Sequence, residues 1–230
     1  MNNPIYQAAA LIVPMIFAIV FHEVAHGWVA RMLGDPTASR LGRLSLNPIR
    51  HVDLVGTVLL PGALKLMGLP VFGWAKPVPV DFRKLGNPRR DMILVAAAGP
   101  GMNLVMAGIG AILLGLLLRP YIGLQSPEGI AGFIALNLGN FLAINVFLAL
   151  FNLLPIPPFD GSHIVEGLLP DSAARAYAGM RRFGFLLVIV LIVVLPQLIP
   201  GFDPVGALIG GPFEWTIGHY ESLVSLAAGR

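Results

Sequence analysis

The sequence predicts an all-α polytopic membrane protein with about four transmembrane helices and a short membrane-associated β segment between spans one and two. Three observations predict it. Hydrophobic residues make up 56% of the chain and charged residues 12%, with mean hydropathy +0.79, a balance outside the range of soluble globular domains. Met92–Leu118 and Gly129–Leu154 run for 27 and 26 residues without a charge, each longer than the roughly 20 residues that cross the hydrocarbon. The 15 Lys and Arg are sorted by loop: ten lie between Arg31 and Arg90, and Arg175, Arg181 and Arg182 fall in one later connection.

The elements follow in chain order. Ala8–Phe21 is an apolar run of 14 residues, and continued to Leu33 it forms a helix of about 39 Å. The opening MNNPIYQ lacks a basic n-region and a small-residue cleavage site, so the first span is expected to be retained. Between Gly34 and Arg90 the chain is rich in Pro and Gly. Leu41, Leu44 and Leu46, then Val71–Val80 with prolines at 77 and 79, read as short strands of the edge kind, because Pro cannot donate to a central ladder. The two uncharged runs supply spans two and three. Asp171–Met180 reads as an interfacial helix, and Phe183–Ile199, flanked by Arg181 and Arg182, as a fourth span. Asp203–Ala228 shows only a weak amphipathic pattern and receives no role.

The sorted cations set an orientation rather than a nucleic-acid surface, although the pI is near 9.6. By the positive-inside rule the N-terminus and C-terminus lie outside and both basic connections lie in the cytoplasm of a multi-pass cell-membrane protein. There is no repeat and no stretch long enough for an inserted soluble module, so residues 1–230 read as a single domain. The chain has no cysteine. Any metal it binds has nitrogen and oxygen ligands.

The stretch FHEVAHGWVARML carries His22, Glu23 and His26 as HExxH within the first span. Residues four apart on a helix are separated by about 40° around its axis, so both histidines reach one metal ion while Glu23 stands beside it as a general base. Ionisable side chains are costly in lipid, which argues for function over a pair of locally satisfied histidines. A catalytic zinc takes three protein ligands and keeps an open position for water. Asp160, in FNLLPIPPFDGSH, is the candidate third ligand, because span three returns to the side where His22 and His26 lie. Pro155, Pro157 and Pro158 break the helix there, and irregular backbone at membrane depth is tolerated where it lines a cavity. Two alternatives stand beside it: Asp160 as a helix cap, and His163 as the ligand.

Asn145 and Asn152 are seven residues apart and share a face of span three. Asn152 is a candidate contact to a substrate carbonyl or oxyanion, with interhelical hydrogen bonding as the alternative for both. Gly99, Pro100, Gly101 and Asn103 suit close helix packing. His51 and Asp53 in LNPIRHVDLVGT form a second ionisable pair, either a ligand, substrate contact or proton relay, or a polar surface loop.

Together HEVAH and NLLPIPPFDG resemble the two signatures of the site-2 protease family of intramembrane zinc metallopeptidases. NPIRHVD, GWAKPVPV and AAGPGMNL are similar to its compact bacterial branch, which lacks a PDZ insertion. The resemblance covers most of the chain. It implies one Zn2+ per chain held by His22, His26 and Asp160, with Glu23 as base and Asn152 lining the site, and it disfavours His163 as a ligand. It also implies an endopeptidase cutting a transmembrane protein substrate within the lipid bilayer; the distribution of cations puts the site towards the cytoplasm. A metal-binding membrane transporter without hydrolysis is the alternative, and Glu23 separates the two because a carrier has no use for a base. No motif specifies the natural substrate or the oligomeric state.

Overall fold

The computed structural model describes residues 4–68 and 73–230. Among the described residues ten α-helices are formed: α1 Pro4–Met32, α2 Thr37–Arg40, α3 Leu60–Leu66, α4 Pro88–Leu118, α5 Gly129–Asn152, α6 Asp160–Leu168, α7 Asp171–Ala178, α8 Gly184–Ile189, α9 Leu195–Leu198 and α10 Pro204–Ala228. Four stretches are long and apolar enough to span a membrane: Ile5–Met32, Pro88–Tyr121, Gly129–Asn152 and Asp171–Leu198. Helix is the form such sequences take in lipid, because every backbone N–H and C=O is then satisfied within the segment.

Helix α4 is the central strut, touching α1, α5, α6 and α10. It begins where the Asn87 side chain accepts the Arg90 N–H at 3.3 Å and the Asp91 carboxylate accepts the Asn87 N–H at 2.7 Å, with Pro88 in the first turn. Small residues let its neighbours approach closely. Ala107 and Ala111 are fully buried against Leu142 and Val146 of α5, and Phe213, Ile217 and Tyr220 of α10 close the cluster.

Helix α10 is the element that hydropathy conceals. Val205 and Ile209 pack near Leu154 and Phe159 beyond the end of α5. The Tyr220 hydroxyl donates to the Leu104 carbonyl at 2.7 Å, and a Cβ on Gly115 would meet Ala227 at 2.6 Å. The helix therefore runs alongside α4 in the same direction and finishes beside its far end, near Arg119. Glu214, His219 and Glu221 lower its hydropathy and hide its length, but its ends are marked. The Asp203 side chain accepts the Gly206 N–H at 2.9 Å, Pro204 takes the first turn, and Gly229 closes the helix at φ 88°.

The β segment expected between spans one and two is not formed: among the described residues there is no strand. Val71 and Phe72, part of that expectation, lie outside the described residues. The chain from 73 to 80 forms no regular element, and its polar groups go to several different partners. Trp74 N–H donates to Gly56 O at 3.1 Å, Lys76 N–H to His51 O at 2.8 Å, and Val78 N–H to a Glu23 carboxylate oxygen at 2.8 Å. The Arg43 guanidinium takes the carbonyls of Lys76 and Pro77 at 2.8 and 3.3 Å. Pro77 and Pro79 have no N–H to offer. A ladder needs successive donors facing one partner strand, and this strap has none. Leu41, where the other strand was expected, lies in the turn after α2, Leu44 and Leu46 lie in chain without regular structure, and Leu54–Leu59 forms a π-helical turn that runs into α3.

Candidate metal centre and active-site cavity

His22, Glu23 and His26 lie on α1 where it crosses α4. The crossing is tight because position 99 of α4 is glycine: a Cβ there would lie 2.6 Å from Cε1 of both imidazoles. Each ring is held from its far side. His22 Nδ1 is 2.6 Å from Asn103 Oδ1, and His26 Nδ1 is 2.7 Å from the Val95 carbonyl. The His26 contact to a carbonyl requires Nδ1–H, so in the neutral ring the lone pair is on Nε2.

Asp160 arrives from the other side of the bundle. Span three stops at Asn152, the chain turns through Leu153–Phe159, and α6 starts at Asp160. Gly161 makes the turn possible, since a Cβ there would meet the Leu153 carbonyl carbon and Leu154 O at 2.5 Å. Ser162 Oγ donates to Phe159 O at 2.7 Å and closes the first turn. Asp160 is not the helix cap: Phe159 occupies that position and no side chain caps it.

The three side chains converge. Asp160 Oδ2 lies 3.2 Å from His22 Nε2 and 3.3 Å from His26 Nε2, and the two Nε2 atoms are 3.1 Å apart. Asp160 Oδ2 is buried and has no conventional hydrogen-bond donor. Three lone-pair atoms facing one another without protons to share are a cage for a cation. Zinc with ligands at 2.0–2.1 Å in tetrahedral geometry sets ligand atoms about 3.3 Å apart, so the donor set fits it in kind and in spacing. Among the described residues this is the cluster of His, Asp and Glu that can hold a metal ion.

The donors open into a cavity of about 630 Å³. Ile19 of α1, Trp74 and Val78 of the strap, Phe151 and Asn152 of α5, and Phe185 of α8 are among its walls. Its lining is mainly apolar, which suits a hydrophobic substrate segment. Glu23 faces this space, its carboxylate oriented by the Val78 N–H. Behind it, Gly27 lets the strap press onto α1: a Cβ there would meet Val78 Cγ1 at 2.7 Å.

Of the other residues singled out in the sequence, Asn152 reaches the cavity and also donates to the Leu148 carbonyl of its own helix at 3.0 Å. His163 lines the cavity but turns Nδ1 to the Arg181 guanidinium at 3.1 Å, outside the three-atom cage. Burial first, and then the Arg181 charge, push its imidazole below the ordinary range. Arg181 also pairs with Glu166. His51 is not brought to the cavity: it is buried beneath the strap, its Nε2 2.8 Å from Ser45 O. Asp53 caps the Leu54–Leu59 turn, accepting from Val55 and Gly56 N–H at 3.0 and 2.7 Å. The sequence reading missed Gly99 as a contact of the histidines and treated Asn103 as packing, although GxxxN directly faces the HExxH turn.

Comparison with known proteins finds relatives that cover most of the chain. The sequence model of Peptidase family M50 matches residues 130–195, which include Asp160 and all of span three but its first residue. A Bacillus subtilis protein named as a zinc metalloprotease, YwhC, is 37% identical over 92% of this chain and 95% of its own length. Rip2 of Mycolicibacterium smegmatis, also named as a zinc metalloprotease, is 30% identical over 77% of this chain and 64% of its own length. MJ0611 of Methanocaldococcus jannaschii, similarly named, is 30% identical over 73% of each. No solved structure matches. These relationships set aside a carrier without hydrolytic activity, and zinc is the metal that the His22, His26 and Asp160 cluster suits. The chain belongs to peptidase family M50, the site-2 protease family of membrane zinc metalloproteases.

Proposed function

We propose that the chain is an intramembrane endopeptidase, one catalytic domain over residues 1–230, that hydrolyses a peptide bond in or near a transmembrane segment of a membrane-protein substrate. The observation that carries the reading is the convergence of His22 Nε2, His26 Nε2 and Asp160 Oδ2 within 3.1–3.3 Å, with Glu23 one residue from the first ligand and facing an apolar cavity. In this reading the three side chains are the zinc ligands and Glu23 is the general base.

Zinc held there supplies Lewis-acid polarisation of the scissile carbonyl and brings the pKa of water towards 7. Glu23 accepts a proton from the attacking water and passes it to the leaving amine, so that one peptide bond and one water become a carboxylate and an amine. The Val78 N–H holds the carboxylate aimed into the cavity. Asn152 offers an amide donor to the carbonyl oxygen as charge develops on it. The apolar walls exclude bulk water, which strengthens both interactions. A helical substrate hides its carbonyls in hydrogen bonds between residues four apart, so the bond to be cut must first unwind, and helix-breaking residues near it favour cleavage.

The distribution of Lys and Arg orients the molecule with its N-terminus outside and the metal centre towards the cytoplasm. The C-terminus, beside Arg119 at the opposite end of α4 from Arg89 and Arg90, belongs outside on the same argument. Reporter fusions at Arg83 and Arg175 should read cytoplasmic, and fusions at Gln125 and the C-terminus external. The chemistry is tested by Glu23→Gln: in vesicles holding a single-span substrate helix, the variant keeps its zinc and loses cleavage. Turnover near wild type in a zinc-loaded Glu23→Gln protein would remove the mechanism.

A further inference from the structure

Behind His22, away from the cavity, two asparagines from different helices are both fully buried. Asn103 of α4 and Asn145 of α5 have 0% of their surface exposed. A buried amide is costly unless it is hydrogen-bonded. Here the partners also determine which way each amide faces.

The chain of assignments starts from backbone carbonyls, which can only accept. The Asn145 side-chain NH2 lies 2.8 Å from the Phe141 carbonyl, so its Oδ1 is the atom turned towards α4. Asn103 presents its NH2 to that oxygen at 2.9 Å and to the Ala18 carbonyl of α1 at 3.2 Å. Both of its donors are thereby assigned, and its Oδ1 is left facing His22 Nδ1 at 2.6 Å. An oxygen with no proton at that distance needs a donor. His22 Nδ1 must therefore carry its proton, and Nε2, the atom facing Asp160, must be the lone pair.

We infer that Asn103 and Asn145 form a positioning relay that fixes the tautomer and ring orientation of His22, so that Nε2 is presented to the metal before the metal arrives. The relay is anchored at both ends by carbonyls, on α1 and on α5, and thus ties the three helices that frame the site. Asn103 acts directly on the imidazole. Asn145 acts only through Asn103, one helix further away. His26 needs no such relay, because the Val95 carbonyl fixes its Nδ1–H by itself. The two histidines of one motif are therefore oriented by different means. This rests on the reading of His22, His26 and Asp160 as zinc ligands.

The test uses the full-length protein in detergent micelles and reads zinc dissociation into a chelator, together with the His22 nitrogen resonances of the metal-free protein. Substituting a partner of a metal-bound histidine ordinarily costs 10–100-fold in affinity, and Asn103→Leu should fall in that range. Asn145→Leu should weaken binding in the same direction by a smaller factor, and the double variant should be no weaker than Asn103→Leu alone. Asn103→Asp keeps an oxygen acceptor for His22 and should retain more zinc affinity than Asn103→Leu. A purely structural role predicts the reverse, because Leu fills the buried site better than a carboxylate. In metal-free wild type, His22 should be protonated at Nδ1, and that preference should be lost in Asn103→Leu. Asn145→Leu with wild-type zinc affinity, Leu outperforming Asp at position 103, or a His22 protonated at Nε2 would each overturn the relay. If His26→Ala and Asp160→Asn leave zinc affinity unchanged, it is the ligand assignment that fails.

Discussion

Helix α1 and the segment Asp171–Leu198 are both apolar, both long enough to span, and both contribute walls to the same cavity, yet they are held in different ways. In the most apolar window of α1, 39% of residues are buried inside the protein, against 11% for Asp171–Leu198. Helix α1 packs on both α4 and α5, and its functional side chains are each fixed by a second group. Segment 184–198 meets the rest of the molecule chiefly at the Pro-rich turn and at the first turns of α10, and one of its contacts with the strap is the edge-to-face pair Phe185 and Trp74, centroids 5.4 Å apart. The difference separates a rigidly held donor cluster from a more loosely held wall. Metal ligands require positions set to a fraction of an ångström and sit where packing leaves no alternative. Segment Asp171–Leu198 is held by fewer buried residues, mainly through apolar contacts such as Val188 with Leu154 and Phe159.

That separation can be broken most severely at the ligands. Asp160→Asn should bring zinc content and cleavage to background, while His163→Ala should leave zinc bound, as read by metal analysis of the purified proteins. The reverse ranking would move the third ligand to His163. Next in size is Glu23→Gln, which should lower turnover by about 10²–10⁴-fold at unchanged zinc content, the range for loss of a positioned acid–base group. Gly99→Ala should cost both zinc and activity, because its methyl group would occupy the space of the two imidazoles. Normal zinc binding in that variant would show that the α1–α4 crossing opens more easily than its packing implies.

The access side should respond in the opposite pattern. Trp74→Ala removes an aromatic pair of the kind worth about 0.5–1.5 kcal/mol. It should change the apparent KM for a single-span substrate by up to about tenfold, with zinc content untouched. Loss of zinc in Trp74→Ala would mean that the strap is part of the metal centre after all.

Much of the site could be read from the sequence because its signals are local. HExxH places three side chains by helical periodicity alone, and three prolines before Asp-Gly announce a break at the end of a span. The four candidate spans follow from the length and hydropathy of their apolar runs. What stayed hidden depends on contacts distant in sequence. His22 meets Asn103 across 81 residues, and Asn103 meets Asn145 across 42, so neither asparagine could be separated from ordinary interhelical packing. The strand expectation failed because apolar alternation around Pro77 and Pro79 describes an extended chain without supplying a partner, and Arg43 and Glu23 took the groups a partner would have used. Helix α10 was missed because two glutamates and a histidine depress its hydropathy, although its Asp-Pro start and glycine stop were in plain view.

The central claim is that two imidazole nitrogens and one carboxylate oxygen of this chain bind zinc beside a base. X-ray absorption at the zinc edge of the loaded full-length protein tests it most directly. The account predicts a shell of nitrogen and oxygen ligands near 2.0–2.1 Å, with outer scattering from two imidazoles that is unchanged in His163→Ala and in Glu23→Gln. Scattering from three imidazoles, or a shell altered by Glu23→Gln, would contradict it.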